Sequence, residues 1–101
     1  MPVAEISVVP VGTGSASVSH YVARVIRIAQ ADKRVKVELS SMGTNIEGTL
    51  DDILRLAKKM HESLFDGEVV RVVTTIKIDD RRDKPLTISG KLDSVQQKLG
   101  A

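Results

Sequence analysis

The feature that most narrows the fold of this chain is the way its hydrophobic periodicity switches. Over residues 3–11, Ala4, Ile6 and Val8 alternate with Glu5 and Ser7, a spacing of two that describes a strand with one polar face. From Ser17 the spacing becomes three and four, through Val18, Tyr21, Val22, Val25, Ile26 and Ala29, as in an amphipathic helix. Alternation returns at Val35, Val37 and Leu39 and resumes after Met42-Gly43 over Thr44–Gly48. A second helical stripe then places Leu50, Ile53, Leu54, Ala57, Met60, Leu64 and Phe65 on a buried side. Residues 69–78 are the longest strand signal, with Val70, Val72, Thr74, Ile76 and Ile78 on one face and Val69, Arg71, Val73, Thr75 and Lys77 on the other.

The punctuation agrees with that order. Pro10 cannot donate to a ladder, so the first strand frays or becomes an edge there, and Gly12-Thr13-Gly14-Ser15 reads as the turn out of it. Ser15 or Ser17 can cap the first helix, and Asp32-Lys33 closes it. Met42-Gly43 reads as a hairpin turn, short enough that its flanking strands must pair antiparallel. Thr49 followed three residues later by Asp52 is a capping pattern, and Gly67 ends the second helix. Six charged residues, Asp79–Lys84, precede Pro85, and a short helix is predicted from Leu92 to Leu99, capped near Asp93 or Ser94. With right-handed crossovers, this order predicts an α+β, ferredoxin-like βαββαβ sandwich: a four-stranded antiparallel sheet, two helices on one face, and a short C-terminal helix. Residues 1–101 are expected to form a single domain, because a second core needs roughly another hundred residues.

Composition removes several function classes. Fifteen Lys and Arg against thirteen Asp and Glu leave a formal charge of +2, with the signs interleaved, whereas nucleic-acid binding normally needs a basic stripe. Tyr21 and Phe65 are the only aromatic side chains, too few for a base-stacking platform. With no cysteine there are no disulfides, thiolate nucleophiles or cysteine-zinc sites. Apolar runs such as Val8–Val11 fall far short of the ~20 residues of a membrane span, and Met1-Pro2 leads directly into a strand without a signal-peptide pattern. The expectation is a cytoplasmic protein that binds neither nucleic acid nor membrane. A domain of this size buries only about 60 to 70% of its extended-chain surface, which favours association between copies.

In such a sandwich the helices cover the face bearing Ile6, Val37, Ile46, Val72 and Ile76. The other face carries Glu5, Ser7, Val9, Lys36, Glu38, Ser40, Asn45, Glu47, Arg71, Val73, Thr75 and Lys77, and no helix of the motif covers it. Val9, Val69 and Val73 are more apolar than a solvated face requires, which suggests burial against another subunit or a ligand. Its charges would then be paired, either as an interface network or with one carboxylate reading a cationic ligand.

The segments Ala4–Gly14, Met42–Gly48, Lys59–Glu62 and Arg71–Lys84 closely resemble the small thiamine-binding ferredoxin-like proteins, formerly a domain of unknown function. The strand ending in Ile78-Asp79-Asp80-Arg81-Arg82-Asp83-Lys84 is the most specific part of the likeness. The resemblance covers nearly the whole chain and implies a homotetramer, a dimer of dimers joined through extended strands and sheet faces. It also implies binding of thiamine or its aminopyrimidine part, as a ligand rather than a cofactor, and no established reaction. Arg71, Val73, Thr75, Lys77, Asp79, Asp80, Arg81 and Arg82 are the expected interface residues, the charged run latching to its symmetry mate.

Thiamine's chemistry selects the candidate ligand-binding residues. A carboxylate accepts from the exocyclic amine or neutralises the thiazolium, which points to Glu38 and Glu47, with Ser7 and Thr44 as small hydroxyl partners. Met42 offers an adaptable apolar contact to a ring, or packs in the hairpin. Gly12–Ser15 could hold an anion, but Ser17 stands where a dinucleotide fingerprint needs Gly and no P-loop lysine follows. His20 and His61 lie on different helices without metal-ligand spacing, and no spacing marks a nucleophile, so neither a metal nor a catalytic residue is expected. The expectation is a noncatalytic binding protein with its site on the sheet face or at a subunit interface. The alternative is a regulatory or structural oligomer without a dedicated ligand.

Overall fold

The computed structural model describes residues 1–100. The elements follow the expected order: β1 (Val3–Pro10), α1 (Ser19–Ala31), β2 (Lys36–Ser40), β3 (Gly43–Glu47), α2 (Leu50–Ser63), β4 (Val72–Asp79) and α3 (Ile88–Gly100). The strands form one antiparallel sheet in the order β2-β3-β1-β4, the ferredoxin-like arrangement. Pairing of β1 with β4 runs the full eight residues, from Val3↔Asp79 to Pro10↔Val72. Pairing of β1 with β3 covers only Val3↔Glu47 to Ile6↔Thr44.

Period-two alternation sends Ala4, Ile6, Val8 and Ile46 to one face, where Tyr21, Val25 and Ala29 of α1 and Ile53, Leu56, Ala57 and Met60 of α2 bury them. Thr49 caps α2 as the sequence indicates, its hydroxyl accepting from Asp52 N–H at 3.1 Å. The buried stripe of α2 is rotated relative to the sequence expectation: Leu56 is fully buried, whereas Leu50, Leu54 and Phe65 are exposed. α1 begins after Val18 with no side-chain cap; Ser15 instead accepts from the Ser17 N–H and so shapes the preceding turn. Gly12 and Gly14, both at φ +78°, supply the left-handed backbone of that turn.

Two expectations are corrected around β4. Residues 69–71 precede the strand, and Val69 turns into the core while Val70 is exposed, the reverse of a continuous alternation. Asp66 causes the turn, accepting from Glu68 N–H at 2.8 Å and Val69 N–H at 2.9 Å while meeting Arg24 of α1 at 3.3 Å. These two main-chain bonds and then the guanidinium hold the Asp66 carboxyl below its ordinary pKa. Asp32 is similarly lowered, first by the Arg34 N–H and then by Arg55, which reaches it at 2.8 Å and ties α2 to the end of α1.

The second correction concerns the open face. The terminal helix starts four residues earlier than expected: Thr87 accepts from Gly90 N–H at 2.9 Å, and Leu86 and Ile88 pack on Val3. The start of α3 therefore covers one end of that face. Beyond Lys91 it is exposed, with Leu92, Val95 and Leu99 on one side. The dimensions of 49 × 29 × 19 Å and the 15.1 Å radius of gyration reflect this extension, since a compact chain of this length has a radius of about 13 Å.

Leu56→Ala is expected to destabilise the protein by about 2–5 kcal/mol and Leu54→Ala by less than ~1 kcal/mol in urea unfolding, because only the first leaves a cavity. Asp66 adds stability above the unfolded carboxylate pKa that disappears as pH falls through its lower folded value. The stability gap between the parent and Asp66→Asn should therefore be widest near neutral pH and close below about pH 4 in acid-denaturation curves.

Candidate functional site

The unequal strand lengths create a concavity, smaller than the open depressions of about 640 and 340 Å³ that Lys91 of α3 helps to line. β3 meets β1 only as far as Ile6, and the two-residue loop Ser41-Met42 then turns the chain back into β2. The turn is thus one residue earlier than Met42-Gly43, and Gly43 opens β3 opposite Ser40. A Cβ on Gly43 would lie 3.1 Å from both the Glu5 Cγ and the Ile6 carbonyl oxygen, so the close approach of the strands here favours glycine. Past that point β1 has no neighbour on the β3 side, and α1 lies above the gap. The result is a crevice of about 250 Å³ between α1, β1 and the hairpin.

Three of the five sequence-derived ligand candidates line this crevice: Ser7 from β1, Met42 from the turn and Thr44 from β3. Thr44 lies on the helix-covered face and is buried, so it is separated from the open-face carboxylates by the thickness of the sheet. Apolar walls come from Val22 and Ile26 of α1 and Leu39 of β2, while Ser40 and Ser41 add hydroxyls at the rim. Every described lining residue is uncharged and none is aromatic.

The other two candidates occupy a different place. The Glu47 carboxylate accepts from Ile88 N–H at 2.8 Å and so caps α3 from β3. Glu38 faces the shallow groove between the open face and α3, with Val3, Asn45, Ile88, Lys91 and Leu92. A neighbouring depression brings Glu5, Asn45, Lys77 and Asp79 together, and Lys91 pairs with Asp79. The structure thus divides the candidates into a neutral crevice and a charged groove.

The expected interface residues also separate. Val73, Thr75, Lys77 and Asp79 alternate onto the open face of β4, whose outer edge pairs with no other strand among the described residues. Arg71 precedes the strand, and its carbonyl accepts from Val11 N–H at 2.9 Å. In the following loop Arg82 reaches Asp80 at 3.0 Å, and Arg81 grips Asp83 through two bonds of 2.7 and 2.6 Å. Arg81 holds Asp83 below its ordinary pKa, so part of the charged run is already paired within the chain. His61 is likewise engaged, its Nδ1 lying 2.6 Å from Thr74 Oγ1.

Sequence reasoning missed the part played in the crevice by Val8, Leu39 and the helix residues Val22 and Ile26. Pro10 was the available signal: a proline in what becomes an interior strand marks a stretch where one side goes unpaired.

The fold defines a small ferredoxin-like α+β sandwich, and the crevice at its interrupted strand pair has the form of a ligand-binding site. The chain belongs to the thiamine-binding protein family, whose pattern matches residues 4–96. That family is one of binding proteins rather than catalysts. Among relatives, the UPF0045 protein YqgV of Bacillus subtilis is 42% identical over 102 residues, covering 98% of both chains. The UPF0045 protein MJ1052 of Methanocaldococcus jannaschii is 45% identical over 93 residues, covering 92% of this chain and 90% of its own. A crystal structure of that archaeal protein superposes with a TM-score of 0.86 at 43% identity, over 95% of this chain and 96% of the other. No helix among the described residues is long and apolar enough to cross a membrane.

Glu47→Ala should uncap α3 and cost about 1 kcal/mol, read as faster hydrogen exchange at Ile88 and the following turn with the sheet amides unaffected. Equal protection in both proteins would show that Glu47 does not hold the helix.

Proposed function

We propose that the protein binds thiamine, or its aminopyrimidine part, without catalysing its conversion, and that the ring enters the crevice between α1 and the β2–β3 hairpin. The observation that carries this reading is the crevice itself: a slot with aliphatic walls, Ser7 and Thr44 within it, and Met42 at its mouth. Ligand sites typically have this composition, apolar surfaces that grip and a few polar groups that orient. At about 250 Å³ it lies just below the usual range for drug-sized ligands, which suits one ring better than two. Family membership supports thiamine chemistry as the source of that ring. A solved structure described as a putative thiamine biosynthesis/salvage protein from Thermotoga maritima shares the fold, with a TM-score of 0.77 at 22% identity.

The remaining candidates suit a role outside the slot. Glu38, unlike Glu47, makes no helix cap and stands free to meet a cationic group in the open-face groove. Val9 and Val73 lie directly opposite each other in register, exposed on that face, and Leu92, Val95 and Leu99 form an exposed apolar row on α3. These surfaces, with the unpaired edge of β4, support association of copies into a homotetramer, a dimer of dimers, with Arg71, Val73, Thr75, Lys77, Asp79, Asp80, Arg81 and Arg82 at its contacts. The protein is assigned to the cytoplasm as a single domain.

Ligand at 100 times its Kd adds about 2.7 kcal/mol of stability, which should raise Tm by roughly 10 °C or more for a chain of this size. Thermal unfolding with thiamine and with its free hydroxymethyl aminopyrimidine is the test. Val22→Phe, which places a larger side chain at a half-open wall position, should abolish the shift while leaving the ligand-free Tm nearly unchanged. Glu38→Gln, across the sheet from the crevice, should leave the shift with either ligand intact. A Tm indifferent to every ligand would leave assembly as the sole role of these surfaces.

A further inference from the structure

The interrupted strand pair leaves a buried main-chain donor and acceptor facing the crevice. The direction of bonding along β1 is set at its two ends: Gly48 N–H donates to the Pro2 carbonyl on the β3 side, and Val11 N–H donates to the Arg71 carbonyl on the β4 side. In an antiparallel strand these directions alternate, so even-numbered residues of β1 aim N–H and C=O at β3 and odd-numbered ones at β4. Pairing with β3 stops at Ile6↔Thr44. The residue that would face Val8 next is Met42, which has turned outward in the hairpin loop and is 80% exposed.

Val8 is only 6% exposed and lines the crevice, yet neither its N–H nor its C=O is bonded to another group among the described residues. Buried main-chain polar groups are almost always paired, so an unmet pair opening onto a cavity marks a place where something else supplies the partner. The next even position is Pro10, which has no N–H to satisfy. The missing donor contact is therefore confined to one residue.

We propose that Val8 reads the ligand through its main chain: its N–H donates to a ring nitrogen and its C=O accepts from an adjacent exocyclic amine. The edge of the aminopyrimidine thus continues the sheet where β3 ends. This inference rests on the binding function proposed above and adds the group that selects the ring. An extended residue presents N–H and C=O side by side and in the plane of the sheet, the spacing that an amine next to a ring nitrogen complements. Val22 and Ile26 then close on one face of the ring and Leu39 lies along the other side of the slot. Since no described lining group is ionisable, selection comes from donor and acceptor placement and not from charge.

The test uses the full chain with thiamine's free hydroxymethyl aminopyrimidine and its counterpart lacking the amine. Hydrogen exchange at the Val8 amide should slow at least about tenfold on saturation, and the counterpart should bind at least about tenfold more weakly, because it leaves the Val8 carbonyl unsatisfied. Val8→Pro, which removes the N–H from the gap, should lose binding; the exchange measurement on the parent protein needs no variant to fold. If the aminopyrimidine binds and Val22→Phe blocks it, but Val8 exchange is unchanged and the counterpart binds equally well, the Val8 assignment falls and the binding function stands. If neither ring binds, both fall.

Discussion

A mismatch of strand length governs this molecule. β1 and β4 are eight residues long and β2 and β3 are five, so the central strand is bonded along its whole length on one side and half its length on the other. Ladder bonds are individually modest, but a buried main-chain group without one is costly. An early hairpin turn therefore needs compensation, and the chain shows it: Pro10 removes one donor, α1 roofs the gap, and Val8 remains with its polar groups directed into the crevice. The concavity is thus a product of the backbone, lined by side chains and not carved by them.

Much of the fold was legible because its signals are local. Alternation located the strands, three-and-four spacing located the first two helices, and Thr49 with Asp52 marked the start of α2. The errors fall where a side-chain hydrogen bond, near or distant, overrides the hydrophobic pattern. The start of α3 depends on Glu47, a strand residue 41 positions earlier, whose carboxylate accepts from Ile88 N–H. Gly90 lowers local helix propensity and draws attention to a later start, yet a Cβ there would lie 2.8 Å from the capping hydroxyl of Thr87. Val69 and Val70 exchanged places because Asp66 binds two consecutive loop amides and bends the chain before β4 begins.

The site was half legible for a related reason. Residue chemistry drew attention to carboxylates, since thiamine is a cation, and to small hydroxyls beside them. Alternation alone puts Thr44 on the face opposite Glu38 and Glu47, because odd and even residues of one strand point apart and the β2–β3 register pairs Glu38 with Asn45. What no residue pattern states is that pairing stops at Ile6, and the main-chain groups of Val8 follow from that stop alone.

The division between a neutral crevice and a charged open face also separates two physical demands. Charges on the open face are useful where they hold an element in place, as Glu47 does for α3 and Asp79 with Lys91 does beside it. The same charges inside a slot of about 250 Å³ would carry a desolvation cost on every ligand entry. Keeping the carboxylates on the far side of the sheet leaves the slot neutral, although Ser7 and Val9 from the open face reach its lining. β3 connects the two: its Gly43 end, paired with β2 alone, shapes the crevice, and its Glu47 end anchors α3, with Thr44–Glu47 paired on both sides. A substitution that weakens α3 by removing the Glu47 carboxylate therefore leaves the crevice walls intact, and one that fills the crevice at Val22 leaves the open face intact. Ligand binding and association through that face consequently draw on largely separate residues, with Val9 shared, since it lines the crevice and is exposed on the open face.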